Sequence, residues 1–259
     1  MDTTPSIHHA LSTLAAEKGV RILYACESGS RAWGFESADS DFDVRFIYCH
    51  PTDWYLCVDM DRKPTVIDVP IDSELDLSGW DLAKTLRLYH KTNPPLFEWL
   101  GSPIAYADRF GLAENLRKVG PDFYCPRAAA WHYLRMAQNN WRGHLRRPVV
   151  RTKKYLYALR PLLAVLWIER GLGVVPTPFG RLVDTMVEAP TLKAAIDELL
   201  ARKRAGPELG EGPPIDPIHQ FIKQHIERLE ATINELPAPR GRMETLNELF
   251  RDTLRTAWE

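Results

Sequence analysis

Eight residues, Asp41-Phe42-Asp43-Val44-Arg45-Phe46-Ile47-Tyr48, constrain the fold more than any other stretch of the chain. They alternate polar and apolar at first and then turn wholly apolar, the pattern of a strand that begins polar and dives into a core. Side chains alternate across a strand, so Asp41 and Asp43 share a face. Burying two carboxylates without a compensating charge is costly, so the start of this strand calls for a cation. Just upstream, Ser6 to Lys18 places Ile7, Leu11, Leu14 and Ala15 at helical spacing, and Gly19 ends that helix. Val20 to Cys26 is rich in β-formers and is expected to be a strand, followed by a turn at Glu27-Ser28-Gly29-Ser30. Short strands are expected at Thr65 to Val69 and Glu74 to Leu77. A helix is expected from Trp80 to about Lys91, closed by Asn93-Pro94-Pro95.

Beyond about Asp122 the period lengthens to that of helices, at Arg127 to Arg147, Thr152 to Arg170, Thr191 to Arg204, Ile218 to Leu236 and Met243 to Trp258. Pro176 to Gly180 and Gly206 to Pro217 are expected loops. A chain of 259 residues suits two modest domains. The expected fold is therefore α+β, with a sheet-bearing part at 1–121 and a helical part at 122–259. At 45% hydrophobic and 26% charged, the composition is that of an ordinary globular protein. No apolar run approaches the ~18 residues of a membrane span, and MDTTPSIHHA lacks a basic stretch followed by an apolar one, so a cytoplasmic protein without membrane contact is expected. Cys26, Cys49, Cys57 and Cys125 lie far apart and are expected to be reduced packing residues.

The net charge of −1 hides a segregation along the chain. From Asp39 to Asp81 eleven acids (Asp39, Asp41, Asp43, Asp53, Asp59, Asp61, Asp68, Asp72, Glu74, Asp76, Asp81) face three bases (Arg45, Arg62, Lys63). From Phe123 to Ile168 there is no acid, against nine bases (Arg127, Arg135, Arg142, Arg146, Arg147, Arg151, Lys153, Lys154, Arg160). The first stretch suits cations and the second suits phosphates.

Phosphoryl transfer onto a hydroxyl needs donors that grip a triphosphate, two divalent cations and carboxylates that hold them. Gly29 lets the backbone approach a phosphate closely, and Ser30 offers a hydroxyl and an amide. Asp41 and Asp43 supply oxygen ligands for hard cations such as Mg²⁺ or Mn²⁺. The third carboxylate is expected from a neighbouring strand, with Asp76 first, Glu74 second and Asp72 third. Asp76 would also help take the proton of the acceptor hydroxyl. Arg31 either touches phosphate or pairs with a nearby acid, and Lys84 either reaches the site or faces solvent. Trp33 and Phe35 are expected to pack rather than stack on a base, and Asp39 to serve a turn. An ordinary solvated helix pairs its lysines with glutamates, which the second stretch does not do. Lys153, Lys154, Tyr157 and Arg160, on or near one helical face, are its candidate phosphate contacts. His8, His9 and His132 have no ligand-like spacing.

Gly29-Ser30, about ten residues, then Asp41-Phe42-Asp43 resembles the signature of DNA polymerase β-like nucleotidyltransferases. The fuller string GSRAWGFESADSDFDVRFIY, with LDLSGWDLAK, NPPLFEWL and KKYLYALRPLLA, is similar to the RlaP-type branch associated with RNA repair. The resemblance implies a small mixed sheet with helices on one side, Asp41 and Asp43 as metal ligands and Ser30 near the β- and γ-phosphates. It points less directly to Asp76, through LDLSGWDL alone. The expected activity is transfer of a nucleoside monophosphate from an NTP to a hydroxyl, an RNA 3′ end, with release of pyrophosphate and two bound metal ions. The alternatives are a non-catalytic nucleotide- or RNA-binding module, or transfer to a protein or small-molecule hydroxyl.

Overall fold

A computed structural model describes residues 4–37, 40–72, 75–205, 210–239 and 241–259. In chain order its elements begin with α1 (Thr4–Lys18), β1 (Arg21–Glu27), α2 (Gly29–Trp33), β2 (Phe42–Cys49), α3 (Thr52–Tyr55), β3 (Val66–Asp72) and β4 (Leu75–Asp81). There follow α4 (Leu82–His90), α5 (Pro94–Leu100), β5 (Ala105–Asp108), α6 (Leu112–Phe123) and α7 (Pro126–Asn140), which runs into a π-helical turn at Trp141–Leu145. The rest is β6 (Val150–Arg151), α8 (Lys154–Glu169), α9 (Phe179–Met186), α10 (Pro190–Ala205), β7 (Glu211–Gly212), α11 (Asp216–Thr232) and α12 (Met243–Trp258). The fold is α+β. It divides into two compact units, Met1–Ala32 with Asp41–Phe123 and Arg240–Glu259, and Trp33–Ser40 with Tyr124–Pro239.

The first unit is built on a five-stranded sheet in the order β3-β4-β2-β1-β5. β2 runs parallel to β4, while the other pairs are antiparallel. Ile7, Leu11 and Leu14 form one stripe of α1 and pack on the sheet face that carries Ile22, Ala25, Val44, Phe46, Tyr48 and Leu77. Each such side chain taken from water contributes about 1.5–3 kcal/mol, which fixes the strand register, since a one-residue slip would turn this set outward. Gly19 at φ 61° closes α1, with its own N–H donated to Ala16 O and that of Val20 to Ala15 O, the paired bonds of a Schellman cap. The sheet is covered on both faces and not on one side alone, for on the other face α4 and α5 meet β1, β2 and β4, and α12 packs on α4.

Among the boundaries that differ from the sequence expectation, three have a clear local reason. β4 continues to Asp81, whose carboxylate accepts from Ala83 N–H at 2.8 Å, so α4 starts at Leu82 and not at Trp80. Asn93-Pro94-Pro95 closes one helix and also opens another: Asn93 caps α5 by accepting from Leu96 N–H, and Pro94 sits in its first turn. The expected loop at 176–180 gives way at Phe179 to α9, whose Phe179, Leu182, Val183 and Met186 are buried at helical spacing.

In the second unit α8 is the central helix. From Tyr155 to Ile168 every residue except Tyr157 is buried, so it shows no polar face. α7, α9 and α11 pack around it.

Candidate functional site

The site grows from the junction of β1 and β2. Asp43 donates its backbone N–H to Glu27 Oε1 at 2.8 Å and accepts on its carbonyl the N–H of Ser28 at 2.8 Å. The residue after Ser28 must then pass directly over the Asp43 side chain. Gly29 does so at φ 59°, and a Cβ there would stand 2.1 Å from Asp43 Oδ2. Both the left-handed backbone and the close approach demand glycine. The expected turn is thus tighter than a loop: Gly29 and Ser30 open the one-turn helix α2, with Ser30 half-buried.

Parallel pairing of β2 with β4 sets Asp43 opposite Asp76. The Arg45 guanidinium lies between them, with Nη2 3.1 Å from Asp43 Oδ1 and 2.8 Å from Asp76 Oδ2. Its Nη1 donates to the carbonyls of Asp76 at 3.1 Å and Val44 at 3.2 Å. Burial pushes the Asp43 carboxyl up, Arg45 opposes, and the charges of Asp76 and Asp41 push it up further. Asp41 itself is exposed just before β2. Arg31 meets the backbone of that residue, donating Nε–H to Asp41 O at 3.2 Å, and its guanidinium lies 3.9 Å from the Phe42 ring centroid. Lys84 is half-buried in the first turn of α4, 5.6 Å from the Trp80 ring. The Asp72 backbone belongs to β3, while Glu74, like Asp39, lies outside the described residues.

In the sequence Glu27 stands only as the first residue of the expected turn Glu27-Ser28-Gly29-Ser30. It is fully buried, and its Oε2 accepts the Tyr106 hydroxyl while Oε1 accepts Asp43 N–H. Its own N–H goes to Ile104 O at 2.9 Å, and its carbonyl accepts from Ser102 Oγ at 2.7 Å. Burial pushes its carboxyl up against the pull of Tyr106. The one signal available was an acid closing an otherwise apolar strand, RILYACE.

In the second unit Lys153 and Lys154 are half-buried at the start of α8, and Lys154 Nζ lies 5.3 Å from the ring of the exposed Tyr157. The expected basic face does not continue to Arg160. Because α8 is enclosed, Arg160 is 2% exposed, with its guanidinium 4.5 Å from the Trp33 ring and Nη2 donating to Thr177 O at 3.2 Å. Trp33 and Phe35 pack as expected, Trp33 edge-on to Tyr157 and Phe35 edge-on to Phe179. The four cysteines are free thiols, with Cys26 and Cys49 buried.

Over residues 4–252 the sequence matches the RlaP family, the RNA repair pathway DNA polymerase beta family. The chain belongs to this family. It is also 46% identical over 250 residues to the uncharacterized protein YcgL of Bacillus subtilis strain 168, covering 96% of this chain and 95% of that one. A crystal structure of a nucleotidyltransferase-like protein from Exiguobacterium sibiricum 255-15 aligns over 98% of this chain and 81% of its own, at a TM-score of 0.34 and 14% identity, too remotely to bear on the site. Among the described residues of this RlaP-family chain no helix is long and apolar enough to cross a membrane. Nor, among them, do three acids, histidines or cysteines gather in a ready metal cage. What the β2–β4 pair offers is two carboxylates that already share one cation, with the charge of Asp41, just before β2, also felt at Asp43.

Proposed function

We propose that this RlaP-family chain is a metal-dependent nucleotidyltransferase that moves a nucleoside monophosphate from an NTP to a hydroxyl, an RNA 3′ end, and releases pyrophosphate. The observation that carries the proposal is the register of Asp43 with Asp76 around a shared positive charge, roofed by the Gly29 backbone. The donor set suits hard divalent cations: carboxylate oxygens, mutually repelling, on a rigid strand pair. Asp41, Asp43 and Asp76 would hold two Mg²⁺ or Mn²⁺, which when bound neutralise the triphosphate and favour ionisation of the attacking hydroxyl.

The chain's own residues do the rest. Ser30 and the Gly29 backbone bind the triphosphate, with Arg31 and Lys84 as further phosphate contacts. The acceptor oxygen forms a bond to the α-phosphorus as the bond from the α-phosphorus to the bridging oxygen breaks. Pyrophosphate leaves with that electron pair, and the hydroxyl proton passes to the Asp76 carboxylate. Lys153, Lys154 and Tyr157 serve phosphates from the helical unit, and Arg160 acts there through Trp33, which it supports from beneath. A second reading, a non-catalytic nucleotide- or RNA-binding module, draws on Arg45, which already satisfies the acid pair.

The test incubates the protein with labelled NTPs, Mg²⁺ or Mn²⁺ and pooled RNA, beside the double variant Asp41→Ala/Asp43→Ala. Labelled RNA from the wild type and a loss of at least about a hundredfold in the variant is expected, the scale of removing transition-state charge stabilisation. No labelled product from the wild type, with nucleotide binding equal in the two proteins, would favour the second reading.

A further inference from the structure

α7 does not end in an ordinary cap. At Trp141 its hydrogen bonds widen into the π-helical turn Trp141–Leu145, a rare conformation that is frequent at functional sites. Trp141 and Leu145 are buried, which leaves Arg142 and Gly143 exposed and His144 half-exposed. Beside the turn opens a basin of about 190 Å³ lined by Gly143, His144, Arg147, Val149, Arg151 and Glu211. Its far wall is held by the β6–β7 ladder, Arg151 opposite Glu211, and by Thr152 N–H donated to Gly210 O at 3.1 Å.

The charge in this basin is lopsided. Partial desolvation, followed by the charges of Lys154, Arg151 and Arg147, holds the His144 imidazole below the ordinary histidine value. Glu211 is the acid in the lining and is engaged by Arg151 Nε at 3.2 Å. Gly143 leaves the mouth open, since nothing lies within 4 Å of where its Cβ would stand. A wall of arginine donors with a histidine that an arriving anion would help to protonate suits a small, multiply charged oxyanion.

We infer that the basin of Gly143, His144, Arg147 and Arg151 is a phosphate-binding site that takes a backbone phosphodiester of a single-stranded nucleic acid. The assignment to a strand rests on the proposal that the acceptor is RNA. The phosphate chemistry does not, since the triphosphate of a nucleotide carries the same groups.

The experiment titrates the full chain into short, dye-labelled single-stranded RNA over a range of salt, and separately into MgATP. Gly143→Asp puts a carboxylate into the open mouth, Arg147→Glu reverses an exposed charge, and Gly143→Ala fills the same space without charge. Both charge variants are expected to weaken RNA binding about tenfold and to lower its salt slope by about one, while Gly143→Ala weakens binding less and leaves the slope as it is, and MgATP binding is unchanged. Weaker MgATP binding with unchanged RNA binding would overturn the strand assignment and give the phosphate to the nucleotide. Unchanged binding of both, with Arg147→Glu melting as the wild type does, would overturn the site. The outcome is separable from the catalytic proposal, because Asp41→Ala/Asp43→Ala is expected to keep RNA binding whatever it does to turnover.

Discussion

The two units bury charge of opposite sign, and by different means. In the sheet unit Glu27 and Asp81 are wholly enclosed, and each carboxylate is met by a tyrosine hydroxyl and by backbone N–H groups: Tyr106 and Asp43 N–H for Glu27, Tyr55 with the N–H groups of Ala83 and Lys84 for Asp81. In the helical unit the enclosed charge is a cation, Arg160, held by the Trp33 ring and the Thr177 carbonyl. The difference follows from what each architecture leaves unsatisfied. Strand ends that lead into a turn or helix present spare N–H groups, which suit an anion. A helix buried on all sides presents none, so a charge on it must find an aromatic face or a loop carbonyl. The acid-rich and acid-free stretches of the sequence therefore correspond to two ways of stabilising charge, and the proposed cation site and phosphate site fall one to each.

The sharpest way to break this contrast is at Glu27. Removing its side chain strands Asp43 N–H and the Tyr106 hydroxyl in a buried place, at about 1–3 kcal/mol for each group left without a partner. Glu27→Ala is expected to lose about 3 kcal/mol of unfolding free energy in denaturant. Glu27→Gln keeps an acceptor for Asp43 N–H and removes a charge that burial already disfavours, so it should stay within about 1 kcal/mol of the wild type. Equal losses in the two variants would mean that shape, not anchoring, is what Glu27 provides. In the helical unit the matching change is Arg160→Ala, expected to cost about 2 kcal/mol through the lost contact with Trp33. Its melting temperature should fall with no change in the salt dependence of RNA binding, because Arg160 is enclosed. A flattened salt dependence would show that Arg160 meets phosphate after all.

How much of this was legible in the sequence depended on how local the cause was. β2 could be read from alternation, and α12 falls on the expected Met243 to Trp258, because their patterns lie within one element. Asp41 and Asp43 stand out by their two-residue spacing, although β2 itself begins only at Phe42, and Gly29 by the chemistry of turns. Asp76 was favoured over Glu74 and Asp72 on motif, but its place opposite Asp43 is set by a parallel pairing that no local pattern encodes. Arg45 counted merely as one of three bases in an acidic stretch, whereas its role is to join the side chains of two strands. Glu27 was hidden for a similar reason: whether a terminal acid is solvated or enclosed depends on Tyr106, far along the chain, which arrives on an edge strand of four residues. Arg160 is enclosed where an open basic face is expected, because the spacing of charges reports a helical face and not whether that face is covered.

The smallest effect tests whether the sheet unit, which holds buried anions, also rejects a buried cation. His50 stacks on Trp54 with ring centroids 3.9 Å apart and planes 10° from parallel, and Lys63 lies 4.6 Å from the same indole. Burial, followed by repulsion from Lys63, pulls its imidazole down to about 4. The unfolded chain binds the proton near the ordinary value of about 6.5, so between these two values the unfolded state holds more protons than the folded one. The stability that neutral His50 contributes is therefore complete above about 6.5 and is lost as the pH falls through 6.5 toward 4. Glu27, Asp43 and Asp81 act in the opposite sense, because their raised carboxyls take up protons more readily in the fold than out of it. The two trends overlap in the wild type, and His50→Gln separates them. The advantage of the wild type over His50→Gln in unfolding free energy should shrink steadily from neutral pH toward pH 5. An advantage that holds constant across that range would mean that this corner of the sheet accepts a positive charge as readily as its carboxylates, and the contrast in sign between the two units would not extend beyond the residues that define it.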